Sequence, residues 1–203
     1  MTCPTSRYPV HLIDVVRMAD GTPITIRPTL PQDVTLLRTF FRTLSDESRY
    51  RRFMNPLKEL PDTLAERFAD IDYHRHLALL AEVFDDAGQE TVIAEARYVI
   101  DESDPGTCEI ALAVADAWQS HGIARALLGR LERQAVASGI RRMCADMLIS
   151  NRAMRGLAVR AGYAITVSGD DAEMARLEKV IPTSPILASA GRRPRDMHFN
   201  NLS

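Results

Sequence analysis

The chain has 203 residues, 46% hydrophobic and 26% charged, a balance that excludes wholesale disorder and fits one domain with a substantial core. A formal net charge of −2 gives no broad attraction to nucleic acid or to an anionic membrane, so neither is an expected partner. Cys3, Cys108 and Cys144 are scattered with no CxxC pair, which argues against a disulfide framework or a thiolate zinc site. The first ten residues carry no apolar signal core, and no apolar run approaches the roughly 20 residues of a membrane span. A cytoplasmic protein without a metal is expected.

Residues 1–21 read as an N-terminal arm or extra strand, with the apolar run at 10–16. After the turn at Gly21 to Pro23, residues 24–27 alternate apolar and polar as a half-buried strand does. Thr29, with Gln32 three residues on and Pro31 between, predicts a capping box. The helix it opens has Val34, Leu37, Phe41 and Leu44 on one face. Residues 44–56 read as a basic linker or short helix, and 62–70 as a second amphipathic stretch through Leu64 and Phe68.

Residues 76–84 and 91–100, joined by a turn at 86–88, predict a hairpin. A turn at 103–106 leads to a strand at 108–114. Ile123, Leu127, Leu128 and Leu131 then share a helical face, ended by Gly139. A strand at 142–149, a helix at 151–161 closed by Gly162, and a strand at 163–167 follow. Residues 174–181 fit a last strand or a helix. The remainder, 182–203, reads as a C-terminal extension. The order predicts a mixed α/β sheet.

The most informative segment is 109–131. A strand runs into Gln119-Ser120-His121-Gly122-Ile123-Ala124, inside which an amphipathic helix begins. Such a junction aims unpaired backbone N–H groups and the positive helix end at one point, where a phosphate or pyrophosphate binds. Gly122 and Ala124 are small enough for an anion to approach, and Arg125 adds charge. A ligand-free small-residue turn is the competing reading. The loop is neither a Walker loop nor a dinucleotide GxGxxG.

The pattern Q-x-x-G-x-A, after V-A-D-A-W and before an apolar helix, resembles the acetyl-CoA loop of the GNAT superfamily. A second segment, Ser150 to Tyr163, resembles that family's N-x-x-M-x-x-L-x-x-x-x-G-Y run. Across residues 22–181, motif and element order are most similar to bacterial protein lysine acetyltransferases of the Pat type. The resemblance implies an α+β fold: a largely antiparallel central sheet with a V-shaped splay between the fourth and fifth family strands, flanked by helices. It implies an N-acetyltransferase that takes acetyl-CoA as co-substrate, with a protein lysine or a small-molecule amine as acceptor and a homo-oligomer possible. A non-catalytic acyl-CoA-binding regulator is the reading from another class.

By the same resemblance, backbone amides from Gln119 through Ser120, His121, Gly122, Ile123 and Ala124 to Arg125 hold the pyrophosphate. The strand edge at Leu112, Ala113 and Val114 pairs with the pantetheine arm. Asn151 contacts the cofactor, although it is equally a good N-cap for its helix. Glu109 is the candidate general base, needed because an ammonium is not nucleophilic; partial burial among Ala111 and Ala113 would raise its pKa. A solvent-facing or ion-paired glutamate is the plain alternative. The family's usual acid tyrosine is replaced by Ala158, and Tyr98 and Tyr163 are substitutes that read better as packing residues.

His74 and His76 read as a solvated strand entry rather than metal ligands. Arg49, Arg51 and Arg52 fall beside the expected acceptor cleft, as an acid-greeting cluster or a solvated face. Trp118 reads as a loop anchor, and Cys108 and Cys144 as small strand hydrophobes.

Overall fold

The computed structural model describes residues 8–167 and 173–182. Eight strands form one sheet: β1 (Asp14–Arg17), β2 (Pro23–Pro28), β3 (His76–Phe84), β4 (Glu90–Ile100), β5 (Thr107–Val114), β6 (Arg142–Leu148), β7 (Ala164–Val167) and β8 (Met174–Val180). The helices are α1 (Val34–Thr43), α2 (Asp46–Phe53), α3 (Asp62–Ala69), α4 (Ile123–Ala137) and α5 (Arg152–Ala161). Sheet order is β1-β2-β3-β4-β5-β6-β8-β7. Neighbours run antiparallel except β5 and β6, which the 15-residue crossover helix α4 makes parallel.

Two open alternatives resolve. The arm contains a strand, β1, paired antiparallel with β2, and the segment after residue 173 is strand β8. The basic stretch after Leu44 is helix α2, begun by Ser45, whose hydroxyl accepts from the Ser48 N–H, and ended at Met54 in the left-handed region. Most of the 182–203 extension lies outside the described residues.

Alternation along β5 divides the core. Cys108 and Ile110, with Leu112 and Val114, face α4 and α5 and pack with the fully buried Leu127 and Leu131. Ala113 faces the opposite side and packs with Leu37 and Phe40 of α1 and with Leu44 just after it. Each large apolar side chain so buried contributes about 2 kcal/mol.

The capping box predicted from Thr29 and Gln32 is not formed. Thr29 continues the β2–β3 pairing, its N–H bonded to the Ala78 carbonyl at 2.9 Å, and its hydroxyl is buried without a partner. Asp33 takes over the role: its carboxylate accepts from the Leu30 N–H at 2.7 Å and from both terminal nitrogens of Arg27. A charged acceptor backed by a guanidinium outcompetes a neutral hydroxyl one strand residue away.

Candidate active site

β5 and β6 pair only through Thr107–Arg142, Cys108–Met143 and Glu109–Cys144. Beyond that point the two strands diverge, leaving residues 110–114 with β4 alone on one side. Counted from β2, these are the fourth and fifth strands of the family fold, and their divergence is the expected splay. The open strand edge presents unpaired main-chain groups to the slot.

The chain leaves the top of β5 through a 3-10 turn, Asp116–Trp118, before entering α4. Trp118 packs against both cores and anchors the loop. The Asp116 carboxylate accepts from the Ser45 N–H, the Ser45 hydroxyl and the Ser48 hydroxyl, each at 2.8 Å, tying the start of α2 to the loop. Burial pushes this carboxyl up, but those hydrogen bonds outweigh it and hold it below the usual carboxylate range. Gln119 donates its amide to the Val114 carbonyl and the Ser48 hydroxyl, both at 3.2 Å, so its side chain braces the turn.

Ser120 (φ 66°) and Gly122 (φ 84°) both occupy the left-handed region. Gly122 is the residue before α4, with no side-chain cap and no acidic residue in the helix's first turn. A Cβ at Gly122 would meet no atom within 4 Å, so the backbone conformation, not crowding, demands glycine there. The first N–H groups of α4 therefore point, with the helix's positive end, into open space.

A cleft of about 420 Å³ opens over this helix end between α2, β5 and α5. Leu112, Ala113, Val114, Gln119, Ser120, Gly122, Ile123, Ala124, Arg125 and Asn151 line it. Asn151 also caps α5, its Oδ1 accepting from the Met154 N–H at 3.0 Å, which leaves its amide donors free. The sequence reading missed Ser48 and Arg160 on the walls. His121 is not on the lining: its ring turns back so that Nδ1 lies 2.7 Å from the Gln119 carbonyl.

Glu109 sits at the apex of the splay, beside the last β5–β6 pair, outside the lining of the cleft. The expected partial burial is absent: Glu109 is exposed, with no hydrogen bond or ion pair to any described residue. Its outward face continues across Asp146, Arg176 and Glu178, which stay about half exposed and pair as Arg176–Asp146 (2.9 Å) and Arg142–Glu178 (3.4 Å). The other face of β6 and β8 packs toward α4 through Met143, Ala145 and Leu177, with Lys179 paired to Glu132 at 2.8 Å.

A second carboxylate, Glu95 on β4, stands opposite Ala113 and is 3% exposed. One oxygen is taken by Arg97 Nε and the other faces Arg52 at 3.5 Å. Glu95 and Arg97 alternate onto one face of a central strand, and that polar pair was the available signal. His76 is no solvated strand entry. It is part-buried, with Nε2 3.1 Å from Arg97 Nη1, and burial followed by the Arg97 charge lowers its pKa to about 4. His74 is exposed, and no group of three or more His, Cys, Asp or Glu among the described residues could hold a metal.

Ala158 is buried in α5. The Tyr163 hydroxyl lies 3.8 Å from Met143 Sδ, with the Glu132 carboxylate beside it, and that of Tyr98 lies 3.4 Å from the Ser138 hydroxyl; burial raises the pKa of both. Both tyrosines belong to the core. Burial likewise pushes the Cys108 thiol up to about 12 and raises that of Cys144, which makes both inert as thiols. No described helix is long and apolar enough to cross a membrane.

Residues 40–163 match the family model described as the acetyltransferase (GNAT) family. An acetyltransferase of Pseudomonas aeruginosa is 32% identical over 157 residues, 77% of this chain and 83% of that protein. Acetyltransferase Pat of Mycolicibacterium smegmatis is 32% identical over 147 residues, 72% of this chain but 43% of its own length, so the chain spans less than half of that relative. The crystal structure of the GNAT domain of S. lividans PAT superposes with a TM-score of 0.77 at 31% identity, covering 86% of this chain and 99% of that one. The chain belongs to the acetyltransferase (GNAT) family and is an acetyl-CoA-dependent N-acetyltransferase.

Proposed function

We propose that the chain acetylates the ε-amine of protein lysines, with Glu109 as general base. The carrying observation is that β5–β6 pairing ends at Glu109–Cys144, so the splay opens from an exposed carboxylate toward the α4 N-terminus. The residues present fit acetyl-CoA. The uncapped N–H groups of α4, the bare Gly122 backbone and Arg125 suit the diphosphate, and the open edge of Leu112 to Val114 suits the pantetheine amides. Bound there, acetyl-CoA would supply an activated acyl carbon for the acceptor amine.

Glu109 then takes a proton from the acceptor ammonium, directly or through one water, and the neutral amine attacks the acetyl carbonyl. The C–S bond breaks and the thiol leaves as thiolate; its ordinary pKa, about 8.5, makes a dedicated acid dispensable, consistent with Ala158 in the usual tyrosine position. Since Glu109 is exposed in the free protein, the acceptor itself would desolvate it by covering the open face. That face is broad and charged rather than an enclosed pocket, which favours a macromolecular acceptor over a small amine. The motif resemblance to Pat-type lysine acetyltransferases, and 32% identity to Acetyltransferase Pat, support the same reading.

The test is Glu109→Gln assayed with lysine-containing protein and with free amines. Loss of a general base is expected to lower kcat by 10²–10⁴-fold. Acetyl-CoA affinity should stay within about twofold, because Glu109 lies outside the cofactor cleft. Unchanged turnover would remove Glu109 from the mechanism, and label entering only free amines would remove the protein acceptor.

A further inference from the structure

The three arginines of the 49–52 cluster have different fates. Arg49 is structural: Nε donates to the Leu44 carbonyl at 2.9 Å and Nη1 to the Lys58 carbonyl at 2.8 Å. Arg51 pairs with Glu47 one turn earlier at 2.5 Å. Arg52 is nine-tenths buried, yet its guanidinium makes no hydrogen bond to any described residue. Nε is buried without a partner, and among the described residues the only ion-pair contact is Nη2 to Glu95 at 3.5 Å.

The group is held rather than loose. It stacks over Phe53 (4.9 Å) and Phe68 (5.5 Å) and lines the cleft. Arg97, over Phe68 at 3.7 Å, donates Nε to the other oxygen of Glu95. Arg52 and Arg97 carry two positive charges, Glu95 one negative, and His76 is neutral near pH 7. One positive charge is left over among aromatic rings. A desolvated guanidinium with unused donors is costly unless an anion completes it. The cofactor's diphosphate does not fit that role. Ser48 is the α2 residue that meets the phosphate loop, and Arg52 lies one helical turn, about 6 Å, further on, beside Ala113.

We propose that Arg52 is an acceptor subsite for a carboxylate, so the preferred acceptor is a lysine flanked by an acidic residue. This rests on the lysine reading above and deepens it. Arg52 reaches the sheet at Glu95, opposite Ala113, four residues along β5 from Glu109, or about 13 Å. That span exceeds a lysine side chain, so the carboxylate belongs to a neighbouring residue of the acceptor. The fork of the guanidinium, already oriented by the two rings, suits bidentate binding.

The test uses two peptides, each with one lysine, flanked on both sides by Glu or by Gln. The native protein is expected to show a kcat/KM ratio of at least tenfold for the Glu over the Gln peptide, mostly in KM. Arg52→Gln should bring that ratio to about one, and Arg52→Lys should retain part of it, with acetyl-CoA affinity within twofold in both and native circular dichroism. A ratio near one in the native protein, or an unchanged ratio in Arg52→Gln, would overturn the subsite while leaving the lysine acceptor standing. Failure to acetylate either peptide would overturn the lysine reading and the subsite with it. Arg52-dependent use of succinyl-CoA as donor, or a tenfold loss of acetyl-CoA affinity in Arg52→Gln, would also overturn it, by assigning the anion to the donor.

Discussion

Replacing Asp116 by Ala would cut the tie between the phosphate loop and α2, and the structure sets the size of the effect. Three donors converge on this carboxylate at 2.8 Å: the Ser45 N–H and the hydroxyls of Ser45 and Ser48. The site is largely open to solvent, so the freed groups turn to water and each bond is worth about 0.5–1 kcal/mol, roughly 2 kcal/mol together. For a domain of this size that corresponds to a fall in Tm of about 4–8 °C. Because Ser48 lines the cleft from α2 and holds the Gln119 amide of the phosphate loop, acetyl-CoA binding should weaken with stability, by about 3–10-fold. The tie is also pH-dependent. A carboxyl whose native pKa is depressed stabilises above its unfolded value near 4 and loses that contribution as pH falls through the native value. The Asp116→Ala deficit should therefore be full at pH 7 and shrink below pH 4. Thermal melts at pH 7 and pH 3.5, with calorimetry at pH 7, measure all of this. A Tm within 1 °C of the native protein at pH 7 would refute the reasoning.

Three further outcomes follow from individual side chains. His76 stays neutral down to about pH 4, whereas the unfolded chain protonates it near 6.5; stability should drop by about 2 kcal/mol between pH 7 and 4 relative to His76→Gln, allowing for residual exposure, and a gap independent of pH in urea titrations would contradict this. Leu131→Ala, at a fully buried position between α4 and the sheet, should cost about 3 kcal/mol in urea unfolding; a loss under 1 kcal/mol would mean that the core is looser than described. Gly122→Val forces a β-branched residue to φ 84° and puts a side chain over the α4 N-terminus, and calorimetry should find acetyl-CoA affinity at least tenfold weaker; affinity within twofold would show that the bare backbone is not needed.

The loop and its helix were legible because their signals are local. Gly122, the apolar face of Ile123, Leu127, Leu128 and Leu131, and the cap at Asn151 all act within a few residues, and the structure brings Gln119, Ser120, Gly122, Ile123, Ala124, Arg125 and Asn151 to one cleft, His121 alone of the loop turning away. Glu109 lies on the strand its alternating neighbours predict, but its exposure was not legible, since whether a strand residue is covered depends on helices distant in sequence. The same limit hid the Arg52, Glu95, Arg97 and His76 cluster, where α2, β3 and β4 converge through long-range pairing. Thr29 misled because a local capping pattern lost to a salt bridge between Arg27 and Asp33 that also fixes the β2–α1 corner. Asp116 gave no sequence signal, as its partners lie about 70 positions away.

Isothermal calorimetry of the native protein with acetyl-CoA at neutral pH goes most directly to the main claim, that the α4 N-terminus and the open β5 edge hold the cofactor. The geometry predicts saturable one-to-one binding in the micromolar range, the common range for enzyme substrates, competed by coenzyme A. Absence of binding by either compound, in protein that is folded by circular dichroism, would contradict it.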